Sequence, residues 1–76
     1  MKNPSAIKAF GVQLRRLRES KNYSHQELAD IADVAKITIQ RIENAKFTVT
    51  LDVLVSLSDA LKIPLKELLD FQVPKR

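Results

Sequence analysis

The chain of 76 residues has no cysteine, no tryptophan, one glycine, three prolines and one histidine. Without cysteine there is neither a disulfide nor a thiolate metal site, so packing must hold this short chain, helped at most by a partner. One glycine and few prolines leave little turn chemistry, which argues for helices over a β-sandwich. With three phenylalanines and one tyrosine, the core must be mostly Leu, Ile, Val and Ala. No apolar run approaches the roughly 20 residues that span a bilayer. The N-terminus MKNPSAIKAF also lacks the long apolar stretch and cleavage site of a secretory signal. The expectation is one cytoplasmic domain with no membrane association, near the lower size limit for folding on a single core.

An enzyme fails on the same inventory. The single histidine has no cysteine to pair with, no glycine-rich phosphate loop is present, and a metal site lacks ligands. Ser24, Ser56 and Ser58 read as cap and helix positions without a nearby base. No cofactor is expected.

What is present is an apolar share of 45% and a formal charge of +4. The charge suits nucleic acid or an anionic surface, and it equally serves solubility. MKNPS reads as a polar arm (residues 1–5), after which Ser5 can cap a helix running to about Ser20. At about 100° per residue, Ile7, Phe10, Leu14 and Leu17 gather within roughly 80°. Arg15 and Arg16 fall outside that stripe, whereas Arg18 lies about 40° from Leu14, on its edge. Asn22 tolerates a left-handed helix end. Ser24 with Glu27 three positions later is a capping-box pattern. It opens a second helix that buries Leu28, Ala29 and Ala32. A third helix spans about Lys36 to Asn44. Thr50 (or Thr48) caps a fourth, carrying Leu51, Leu54, Leu57 and Leu61. Pro64 suits the first turn of a fifth, PLKELLDF.

In SHQELADIADVAKITIQRIEN, helices two and three are separated by almost nothing, with small Ala29 and Ala32 where they must approach. That is a helix-turn-helix unit. Asp33 can take the left-handed turn position, and Val34 can plug the corner. On helix three, Ile39 and Ile42 face one way, while Ile37, Gln40, Arg41 and Asn44 face the other. Ile37 on the wet face is either an ordinary exposed isoleucine or a contact for thymine methyl groups. Glu43 lies about 40° from Ile39, leaning toward the core as Arg18 does. The two charges either pair or reach solvent separately, and pairing avoids an uncompensated buried charge.

From about Phe10 to Leu69 the chain resembles the phage-repressor and Cro-like (XRE) helix-turn-helix family. The resemblance rests on YSHQELA, ITIQRIEN and LDVLVSLSDALKIPLKELL, in that order and spacing. It implies an all-α, compact five-helix domain over residues 6–71, with helices two and three as the helix-turn-helix, and a short basic tail over 72–76. It also implies that Lys36, Ile37, Gln40 and Arg41 face the DNA groove. Ser24, His25, Asn44 and Lys46 match phosphate contacts, and Arg18 and Glu43 match a structural ion pair. His25 stands where the family usually has glutamine, so it is either a phosphate donor or simply solvated. Glycine is usual where Asn22, Asp33, Ala45 and Lys62 stand. Ala45 and Lys62 would each cost about 1 kcal/mol at positive φ, so the loop after helix three is expected to depart from the family form.

The function expected is sequence-specific binding of double-stranded DNA by a transcriptional regulator, with helix three in the major groove. The alternative is a protein-binding module, such as an antitoxin or restriction-control-like protein, whose partner meets exposed Val53, Val55 and Ile31. A chain this short leaves no room for a ligand-sensing domain, so regulation is expected to come from concentration, a second protein or operator layout. Leu65, Leu69, Phe71 and Val73 crowd the C-terminal end. They form either a homodimer interface or a cap on the core. A two-fold dimer would bind half-sites roughly 34 Å apart.

Overall fold

Asn3, not Ser5, starts the first helix. In the computed structural model, which describes residues 3–46 and 48–73, α1 runs Pro4–Ser20. The Asn3 side chain accepts from the Ala6 amide at 3.1 Å. Pro4 fills the first helical position, where its missing N–H costs nothing. The N-terminal arm is therefore shorter than its composition suggests, and residues 1 and 2 lie outside the described residues. The other helices are α2 (His25–Ala32), α3 (Lys36–Glu43), α4 (Leu51–Leu61) and α5 (Leu65–Leu68). Among the described residues, no helix is long and apolar enough to cross a membrane.

The first four helices stop by one device. Asn22, Asp33, Ala45 and Lys62 adopt left-handed φ of 60°, 59°, 59° and 57°. In each case the next residue's amide reaches back five positions: Tyr23 to Arg18, Val34 to Ala29, Lys46 to Arg41, and Ile63 to Ser58. This is the Schellman closure, which satisfies carbonyls that the helix end would leave unpaired. The loop after α3 does not avoid the left-handed conformation as expected, because Ala45, like Lys62, accepts the strain to make these bonds. Thr50, not Thr48, caps α4, accepting from the Val53 amide at 3.3 Å.

Helix α1 packs on α3 and α5, α2 on α3 and α4, and α4 on α5. Leu14, Leu28, Ile39, Ile42, Leu57, Leu61 and Leu68 are almost wholly excluded from solvent, and Ala29 and Ala32 are buried as expected. Each of the large side chains contributes roughly 1.5–3 kcal/mol relative to exposure. Leu51 departs from its stripe and is 68% exposed. It sits in the first turn, about 80° around the helix from Leu61. Val53, expected to be exposed, is half-buried against the core instead.

The fifth helix is a single turn, and Pro64 is its cap rather than its first residue. Gln13, buried on α1, donates from Nε2 to the carbonyls of Glu67 and Asp70, both at 3.3 Å. The chain then turns so that Phe71 stacks, tilted by 46°, against Phe10 at 5.9 Å between ring centres. These tertiary contacts end the helix early, although LKELLDF could continue it.

Candidate nucleic-acid interface

The start of α2 is fixed by a complete capping box. Ser24 Oγ accepts from the Glu27 amide at 3.0 Å, and the Glu27 carboxylate accepts from the Ser24 amide at 2.8 Å. At the other end Asp33 makes the left-handed turn, and Val34 packs half-buried in the corner. Ala35 then opens α3 without a side-chain cap. The sequence thus reverses direction in three residues because one of them tolerates positive φ and one is apolar.

Helix α3 buries Ile39 and Ile42 and turns its other side outward. Ile37 is 50% exposed. Lys36, Arg41, Asn44 and Lys46 are exposed, and Gln40 is half-buried. Ile37, Gln40, Arg41, Asn44 and Lys46 line one concave surface together with Arg15 and His25. Lys36 and Ser24 are exposed but stand outside that concavity. Among the described residues, the only acid lining it is Glu43, and only 1% of its side chain is exposed.

Glu43 is partnered from two other helices. Arg18 donates from Nε to Oε2 at 2.7 Å and from Nη2 to Oε1 at 3.2 Å, a two-pronged contact. Its third nitrogen, Nη1, donates to the Tyr23 carbonyl at 2.7 Å. The sequence-derived ion pair is thus present. The bond to Glu43 raises the Arg18 pKa, burial opposes the rise, and the charges of Glu43 and Glu19 add to it. Arginine is protonated in the folded and unfolded chain alike at ordinary pH, so this rise adds no pH dependence to stability there. His25 Nε2 also lies 3.1 Å from Glu43 Oε1. An ionised carboxylate only accepts, so the imidazole carries its proton on that nitrogen. The ring faces inward to Glu43, a partner that composition and spacing did not reveal. Among the described residues, no three His, Cys, Asp or Glu side chains converge in a way that could hold a metal ion.

This geometry has counterparts among known proteins. A family described as "Helix-turn-helix" matches residues 14–68. The chain belongs to this XRE-type helix-turn-helix family. It is 39% identical over 64 residues to the HTH-type transcriptional repressor RghR of Bacillus subtilis, covering 83% of this chain and 47% of the relative. It is 34% identical over 64 residues to an HTH-type transcriptional regulatory protein of Pyrococcus furiosus, covering 84% of this chain and 20% of that one. The chain therefore spans less than half the length of these two relatives. Among solved structures it resembles the restriction-modification controller protein C.AhdI from Aeromonas hydrophila, with a TM-score of 0.80 and 31% identity. That likeness covers 82% of this chain and 94% of the controller.

Within this helix-turn-helix domain, Arg15 is the concave-surface residue that sequence reading passed over. Its place outside the apolar stripe was visible, but its proximity to α3 depends on how α1 and α3 cross. The C-terminal apolar set divides. Leu65 and Phe71 pack half-buried against the core, whereas Leu69 and Val73 are 41% and 42% exposed. Residues 74–76 of the basic tail lie outside the described residues.

Proposed function

We propose that this helix-turn-helix chain is a transcriptional regulator that binds double-stranded DNA sequence-specifically, seating α3 in the major groove. One observation carries the reading. The outward side chains of α3 stand in a concave surface where the only acid among the described residues is buried and already paired with Arg18. A phosphate-lined groove therefore meets Arg15, Arg41 and Lys46 without meeting a free carboxylate. Ile37, Gln40 and Arg41 read base edges, with Lys36 reaching from the first turn. Ser24, Asn44 and Lys46 hold phosphates on either side, while His25 stays with Glu43. The named regulators among the relatives support the same reading, and no catalytic step is assigned.

The regulator acts as a homodimer through Leu69 and Val73, with Leu65 and Phe71 supporting them from the core side. Both exposed residues sit at the C-terminal end, and a two-fold dimer that binds two half-sites needs its α3 helices about one DNA turn apart. A second reading, regulation together with a protein partner, is favoured by exposed Ile31 and Val55.

Selection from a randomised duplex library, followed by sedimentation of the complex, tests the reading. It predicts enrichment of a two-part site bound by two chains, and Leu69→Glu with Val73→Glu should reduce this to one chain on a half-site. Failure to enrich any sequence would contradict DNA reading. A parent chain that remains monomeric at high concentration and on DNA would contradict the dimer alone.

A further inference from the structure

Gly11, Arg15 and Arg18 form one row on α1, at spacings of four and three residues, and that row faces the end of α3. Gly11 marks the contact, since a Cβ built there would lie 2.5 Å from the Ile42 carbonyl oxygen and 3.0 Å from that of Glu43. One turn further on, Arg15 reaches the lip of the concave surface, and its Nε lies 3.5 Å from Glu43 Oε1. Two features separate it from Arg18. Its side chain is 58% exposed against 8%, and its contact with Glu43 is a single long one. The carboxylate keeps two short bonds from Arg18 and one from His25 without it. Glu43 therefore orients Arg15 toward the surface formed by Ile37, Gln40, Arg41, Asn44 and Lys46 but does not need it.

From this geometry we infer that Arg15 is an additional phosphodiester-binding residue, supplied by α1 and lying outside the helix-turn-helix unit. The inference rests on the DNA reading proposed above. In the free protein the guanidinium leans on a carboxylate that is already satisfied. On DNA it exchanges that weak contact for a phosphate oxygen, releasing one counterion from the duplex. Its planar fork suits a phosphate better than a lysine would.

The test measures binding of a mixed-sequence duplex by fluorescence anisotropy between about 50 and about 200 mM salt. It compares the parent with Arg15→Gln and Arg16→Gln. Arg16 carries the same charge on the same helix but does not line the concavity and contacts Gln13 instead. The slope of log affinity against log salt should flatten by about 0.9 in Arg15→Gln, the loss of one phosphate contact, and stay at the parental value in Arg16→Gln. The thermal melt of Arg15→Gln should match the parent, since its one contact with Glu43 is long and exposed. An unchanged slope in Arg15→Gln overturns the assignment whatever its melting temperature. Equal flattening in both variants also overturns it, because net charge would then explain the effect. A parent that shows no salt-dependent binding removes the DNA reading itself, an outcome distinct from either of these.

Discussion

The Glu43 carboxylate accepts from Arg18 on α1 and His25 on α2 while belonging to α3, so one side chain joins three helices. Both members of its main pair are nearly inaccessible, with side chains 8% and 1% exposed. Breaking such a pair strands a buried charge. Glu43→Ala should therefore destabilise the fold by about 3 kcal/mol, and Arg18→Met with Glu43→Leu should recover part of the loss. Chemical denaturation of the single and double variants checks this; a Glu43→Ala midpoint equal to the parent's would show that the pair is not structural. The pair itself was legible in the sequence, because two opposite charges each lay on the edge of an apolar stripe. The parts played by His25 and Arg15 were not. They depend on distances between helices that no helical wheel contains.

Helix boundaries were legible where local chemistry decides them and obscure where tertiary contacts do. The Ser24 capping box, the Thr50 cap and the left-handed residues Asn22 and Asp33 all act within a few residues of themselves. The length of α5 depends on Gln13 and Phe10, more than fifty residues earlier in the chain. The one glycine shows the same division. It is absent from all four left-handed turns and sits inside α1, where the carbonyls of α3 come too close for a Cβ. Two opposite effects should follow. Gly11→Ala gains about 1 kcal/mol of helix propensity, but its Cβ meets backbone atoms, which cannot swing aside as a side chain would. Overpacking of this kind costs about 1–3 kcal/mol, so the variant should be less stable and α3 displaced. Ala45→Gly should stabilise by about 0.5–1 kcal/mol, because it removes left-handed strain at the cost of some added freedom in the unfolded chain. Denaturation midpoints that move the same way for both would contradict this account of where glycine is needed.

Among the described residues, five helices present one face of α3 in a basic hollow while the opposite face closes the core. The all-α class was readable from the scarcity of glycine and proline and from the helical stripes, and the helix-turn-helix from the run between Ser24 and Asn44. The hollow was not, since it is shaped by α1 crossing behind α3. If the outward face of α3 reads bases, Gln40→Ala separates that role from the fold. Alanine is a good helix former, so the variant should keep nearly the parental melting temperature. Affinity is measured at one salt concentration, on the site selected from a duplex library and on random duplex, for the parent, Gln40→Ala and Lys46→Ala. Gln40→Ala should lose about 1–3 kcal/mol on the selected site and relax preference at one position, with little change on random DNA. Lys46→Ala should weaken both duplexes alike, as the loss of a phosphate contact does. Equal losses on specific and random DNA for both variants would contradict base reading by α3.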